Sequence, residues 1–126
     1  MKPFLCACLG SAVGGGVRYL VGIWAVRRFP ATFPYGTLIV NLAGCFLMGL
    51  LMHVALNVSS FPVNLRAALT TGFLGGLTTY SAFNYETYRL LDQGAGRTAI
   101  VYLGATLVGC FVLGLLGLLL ARRLVG

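Results

Sequence analysis

Four long apolar runs, at residues 3–26, 36–57, 65–88 and 98–121, take up most of this 126-residue chain. Runs of that length leave few options, because about 20 helical residues cross a hydrocarbon core about 30 Å thick. The connections between them are too short to hold another domain. Transmembrane strands would alternate apolar and polar residues over about ten positions, whereas these runs are continuous and longer. The expected fold is therefore an all-α integral membrane protein of four transmembrane helices, with 1–126 forming one domain. Composition agrees, since 59% of residues are hydrophobic and 9% charged, against about a quarter charged in soluble domains.

Lys2, Arg27, Arg28, Arg66, Glu86, Arg89, Asp92, Arg97, Arg122 and Arg123 all fall at or near the ends of the runs. The formal charge of +7 is scattered, with no basic face to follow a phosphate backbone, so the basic residues read as interface anchors and not as a nucleic-acid surface. Arg18 alone lies well inside a run. It either snorkels to the nearer interface or faces a cavity or partner. With four spans, one side carries Lys2, Arg66, Arg122 and Arg123 and the other Arg27, Arg28, Arg89 and Arg97. That balance gives the positive-inside rule no preferred orientation, and it is what an antiparallel homodimer of identical chains requires. Transport folds often rest on such inverted repeats.

Lys2 and the stretch Leu5-Cys6-Ala7-Cys8 have the outline of a lipoprotein leader, but the apolar stretch before Cys8 is shorter than a signal core. The first helix is expected to stay. Cys6, Cys8, Cys45 and Cys110 all sit inside spans with no Cys-x-x-Cys pair, and the one histidine, His53, lies near the end of the second span. They read as small packing residues rather than as metal ligands or disulfides. One histidine and two acids cannot build a catalytic triad, and no phosphate-binding glycine loop follows a strand. The chain is not expected to be an enzyme.

Glycine accounts for 18 residues, and the four-residue spacing of Gly10/Gly14 and Gly72/Gly76 lets helix backbones touch. Between Thr70 and Ser81, three glycines (Gly72, Gly75, Gly76) stand among Thr70, Thr71, Thr78, Thr79 and Ser81, mid-run. A break in the third helix is expected there. Irregular backbone at membrane depth survives only where protein, an ion or trapped water satisfies it, so such breaks usually mark binding sites. Beyond it, Tyr80, Phe83, Asn84 and Thr87 share one helical face. Thr37, Asn41 and Cys45 are spaced by four in the second span, as are Tyr102, Thr106 and Cys110 in the fourth. Two readings fit these stripes: hydrogen bonds between helices, or the wall of a polar path.

The motifs resemble one family. Gly14-Gly15-Gly16-Val17-Arg18-Tyr19 is similar to the first-span signature of the Fluc (CrcB) family of fluoride channels. Tyr35-Gly36-Thr37-Leu38 with Val40-Asn41-Leu42-Ala43-Gly44 resembles its second, and 72–83 with Glu86 its third-span break and aromatic pair. The resemblance covers essentially the whole chain. It implies a passive fluoride channel of a bacterial plasma or inner membrane, built as a dual-topology antiparallel homodimer with two pores, with no nucleic acid or protein substrate. By position it implies that Phe83 and Tyr80 line the fluoride path, with Asn41, Ser81, Tyr102, Thr106, Thr37, Arg18 and Glu86 along or near it. It also implies a structural sodium held by the carbonyls of Gly75 and Thr78 from both chains.

Physical chemistry makes those roles reasonable. An aromatic edge is positive without offering a trapping charge, and conduction needs binding loose enough to release. Tyr80 and Ala82 replace the usual phenylalanine and threonine, and Thr106 and Cys110 stand where serines are common, which bears on rate and coordination. A dual-topology drug exporter would need a buried carboxylate for proton exchange, and the first span has none. A non-transporting membrane subunit would use the stripes as glue alone.

Overall fold

Proline marks where three of the helices begin. Pro3 lies in the first turn of α1 (Lys2–Arg28), Pro34 precedes α2 (Tyr35–Asn57) and Pro62 precedes α3 (Val63–Ala67). A residue with fixed φ and no amide proton fits there, because the first amides of a helix have no intrahelical acceptor. The computed structural model describes Met1–Gly126. After α3 the chain continues through a π-helical segment, Ala68–Leu74, a single turn α4 (Gly75–Leu77), then α5 (Tyr80–Asp92) and α6 (Gly96–Val125). The turn into α6 is a Schellman motif. Ala95 N–H donates to the Leu90 carbonyl at 2.8 Å and Gly94 N–H to Leu91 at 3.0 Å. Gly94 sits at φ 77°, a left-handed geometry that suits glycine.

The structure is all-helical, and α1, α2 and α6 are each long and apolar enough to cross a membrane. The stretch 65–88, expected as the third crossing, is divided into pieces, none of which qualifies alone. The π-helical segment precedes the division, and Thr78 (φ −83°, ψ 154°) and Thr79 (φ −151°, ψ 119°) then leave helical geometry altogether. Large apolar side chains such as Leu9, Ile100, Val108 and Phe111 are exposed. A surface so apolar belongs in lipid, and the chain is a multi-pass membrane protein.

Helix directions follow from which residues touch. A Cβ added at Gly36 would meet Gly22 Cα at 3.2 Å, so α1 and α2 form an antiparallel hairpin. Along α1, residues in ascending order face ascending residues of the 68–77 stretch: a Cβ at Gly72 would lie 2.7 Å from the Ala7 carbonyl, and one at Gly76 3.1 Å from the Gly15 amide nitrogen. These segments run parallel. The α2 and α6 helices are parallel too, with Thr37 and Tyr102 meeting at Glu86 and Gly49 facing Gly114 further along, the sequence separation being the same in both pairs. α5 runs against both, since Thr79 meets Asn41 whereas Glu86 meets Thr37 and Tyr102.

The glycines at 10, 14, 72 and 76 make the α1 contact possible. A methyl at Gly14 would overlap the Phe73 carbonyl and approach the Leu77 nitrogen to 2.9 Å, whereas a methyl at Gly15 would meet nothing within 4 Å. Gly14→Ala is therefore expected to destabilise the protein by about 1–3 kcal/mol, the usual range for overpacking. Gly15→Ala should be neutral or slightly stabilising through helix propensity. Thermal unfolding in detergent distinguishes them, and equal losses at both positions would refute the packing account.

Candidate functional site

The break in 78–79 is fastened by a side chain from another helix. Asn41 of α2, buried, presents its amide to the backbone of Thr79: Nδ2–H donates to the Thr79 carbonyl at 3.1 Å, and Oδ1 accepts from the Thr79 N–H at 2.8 Å. A primary amide has one donor edge and one acceptor edge, so it imitates the strand partner that an extended residue lacks inside a helix bundle. The Thr79 hydroxyl then caps α5, accepting from Ala82 N–H at 3.2 Å, and lies 3.3 Å from Ser81 Oγ. Threonine suits this role because its oxygen reaches an amide in the first turn. On the other side of the break, Thr78 Oγ1–H donates to the Leu74 carbonyl at 2.9 Å.

Those bonds redirect two amides. In an unbroken helix Thr79 N–H would serve the Gly75 carbonyl, and Ala82 N–H would serve that of Thr78. Here they serve Asn41 Oδ1 and Thr79 Oγ1. The carbonyls of Gly75 and Thr78 are thereby relieved of their helical donors, with Gly75 exposed and Thr78 half-buried.

Beyond the break, three helices converge on Glu86. Thr37 Oγ1–H donates to its Oε1 at 2.7 Å and Tyr102 Oη–H to its Oε2 at 2.9 Å. Short charge-assisted bonds of this kind are about twice as strong as neutral ones. The ring of Tyr102, fully buried, meets Phe83 at 5.2 Å and 67° and Phe33 at 5.4 Å and 79°. Tyr80 meets Phe83 at 5.8 Å and 68°. All three are edge-to-face pairs, so ring edges alternate with hydroxyls along this line. A cavity of ≈ 330 Å³ opens beside it between the α1–α2 connection and α5, with Thr37, Glu86, Arg89 and Gln93 in its wall.

Of the residues expected to share a site, Thr37, Asn41, Phe83, Glu86 and Tyr102 are drawn together around the break and the Glu86 carboxylate. Ser81 joins through Thr79. Thr106 is buried one turn beyond Tyr102, and its hydroxyl has no hydrogen-bond partner. Tyr80 keeps its contact with Phe83 but is 76% exposed, turned away from the chain's interior. Arg18 is half-buried on α1 and takes no part in the hydrogen bonds of this line. Sequence reasoning missed Thr79, which joins Asn41 to α5, and Phe33. A threonine three residues before Ala82, just past a glycine cluster, is a usual N-cap signal, and it was available in the sequence. Phe33 carried no signal, being a loop residue brought in by the fold.

The family model described as CrcB-like protein, Camphor Resistance (CrcB), matches residues 5–118. A protein of Anaeromyxobacter sp. (strain K) named fluoride-specific ion channel FluC is 48% identical over 126 residues, covering 100% of both chains. Proteins of the same name from Sorangium cellulosum and Geobacter metallireducens are each 44% identical, over 99% and 98% of this chain and 98% and 100% of their own. From residue 5 to residue 118, and so through every helix and through the fastened break, this chain belongs to the CrcB-like family.

Proposed function

We propose that this protein is a fluoride-selective passive channel that lets the anion leave the cytoplasm. The observation that carries this is the 48% identity over the entire chain to a protein named for that selectivity. The site's chemistry supports it. Fluoride is small and strongly hydrated, so a path must replace water with donors, yet must not hold the ion so tightly that it cannot leave. The Thr37 and Tyr102 hydroxyls, the Asn41 amide and the edge of Phe83 are such groups, with Tyr80, Ser81, Thr106 and Arg18 assigned along or near the route. Glu86 binds two of the hydroxyls that would serve the anion, so its oxygens stand where fluoride would be received. Passage requires those donors to be exchanged between carboxylate and fluoride.

Four crossings and an antiparallel homodimer with two pores complete the reading. The alternating directions of α1, α2, the 63–92 stretch and α6 support a third crossing made jointly by the pieces of that stretch. The even split of basic residues supports insertion in both orientations. Tyr80, Ser81, Asn84, Tyr85 and Tyr88 lie exposed on α5, where a second copy would cover polar groups that lipid would not. The carbonyls of Gly75 and Thr78, freed of helical donors, suit a hard cation such as sodium at the dimer centre. Two from each chain would hold it.

Liposomes containing this protein alone and loaded with fluoride are expected to empty when a potassium ionophore carries the compensating charge, at a rate indifferent to an imposed pH gradient. Retained fluoride would overturn the reading. Flux that followed the proton gradient and vanished in Glu86→Gln would turn it into an exchanger.

A further inference from the structure

The parallel α2–α6 seam continues past the fluoride line to a pair of thiols. Cys45 lies one turn beyond Asn41 and Cys110 one turn beyond Thr106, and the constant offset that brings Thr37 and Tyr102 to one carboxylate and Gly49 against Gly114 sets the two cysteines opposite each other across the seam. Both are free and half-buried. One turn further on, Gly49 and Gly114 bring the two backbones into contact, and a Cβ on Gly114 would stand 3.5 Å from the Cys45 carbonyl oxygen. The separation of the cysteines is therefore fixed by two rigid helices rather than by loops. Cys6 and Cys8, the remaining pair, sit two residues apart on α1, and side chains so spaced do not face each other.

We propose that Cys45 and Cys110 form a two-thiolate site for a soft cation of linear coordination, of which Hg(II) is the type. Thiolate sulfur selects soft metals. Two S–H bonds break, two S–Hg bonds form and two protons leave to buffer, with no change of oxidation state. The product carries no net charge, which suits a poorly solvated position between helices. Zinc is disfavoured, because it takes four ligands and no third histidine, cysteine or carboxylate is gathered with the pair. The unpartnered Thr106 hydroxyl, buried on the same face of α6, leaves one further oxygen without a partner beside the pair. Because the pair extends the stripe that begins at Thr37 and Asn41, a metal held there would arrest fluoride efflux. That consequence, unlike the binding itself, rests on the channel reading.

The test titrates Hg2+ into the purified full chain carrying Cys6→Ser and Cys8→Ser, following the ultraviolet thiolate-to-mercury absorbance in the presence of competing glutathione. One mercury per chain is expected, with zinc failing to displace it. Adding Cys45→Ser or Cys110→Ser should each weaken binding about 100-fold or more, because a chelate becomes a single-point adduct. Unchanged affinity in either variant, or two independent mercury ions per chain, would overturn the site. A helical circular dichroism spectrum matching the parent separates loss of ligand from loss of fold. In liposomes, mercury that binds the parent without slowing fluoride would place the pair off the conducting route while leaving the site standing.

Discussion

Asn41→Leu is expected to abolish fluoride efflux and to lower stability in detergent by about 2–6 kcal/mol. The size follows from the two groups that it strands. Leucine keeps the branched outline of asparagine but offers nothing to the Thr79 N–H and carbonyl, now bonded at 2.8 and 3.1 Å. Each buried polar group left unpaired costs about 1–3 kcal/mol, and Thr79 is only 9% exposed, so water cannot readily replace the amide. The chain has one inexpensive escape, which is to restore helical bonding through 78–79. That would return Thr79 N–H to the Gly75 carbonyl and shift the register of α5 relative to α2 and α6. Thr37 and Tyr102 would then no longer meet Glu86. Loss of flux with stability preserved is therefore also informative, since it marks a helix re-formed through the break, and amide exchange at Thr79 would report it. Full flux in Asn41→Leu would refute the role given to this residue.

Phe83→Ile is expected to slow efflux by about fivefold or more while the assembly still forms. Phe83 is 5% exposed and its ring contacts both Tyr80 and Tyr102 edge to face. Isoleucine fills much of the volume but removes the electropositive ring edge, an interaction worth about 1 kcal/mol beyond area, and each 1.36 kcal/mol added to a barrier is tenfold in rate. Its effect on folding should be small, because volume-preserving apolar exchanges usually cost under about 1.5 kcal/mol. Parallel measurement of fluoride efflux and of oligomeric state by size exclusion checks both halves. Unchanged efflux would remove Phe83 from the path.

Much of this was legible in the residues. Run length and continuity identified a membrane protein of long helices, and the four-residue spacing of glycines at 10, 14, 72 and 76 anticipated the seam on which α1 meets the 68–77 stretch. The break was placed within the glycine and threonine cluster, but not at a residue. Its position at Thr78 and Thr79 depends on Asn41, 38 positions earlier, and local propensity contains no such information. The stretch 65–88 was read as one span because its mean character is apolar. Its second half is nevertheless amphipathic, and the structure assigns it to a separate helix with Tyr85 and Tyr88 outward. Periodicity showed that Thr37, Asn41 and Cys45 share a face, as do Tyr102, Thr106 and Cys110. It could not show that the two faces meet at a constant offset, because a repeat of four fixes a face and not its partner. The meeting of Cys45 with Cys110 follows only from that offset. Tyr80 was expected on the path and is turned outward in the chain, where a second copy would have to complete its surroundings.

Selective conduction is the claim on which the rest depends, and ion electrodes measure it directly. Liposomes reconstituted with the protein are loaded with equal potassium fluoride and potassium chloride, diluted into impermeant salt and opened with a potassium ionophore. Fluoride is expected to leave through the protein while chloride stays until detergent is added. Release of both halides at similar rates, or of neither, would contradict a fluoride-selective path through this fold.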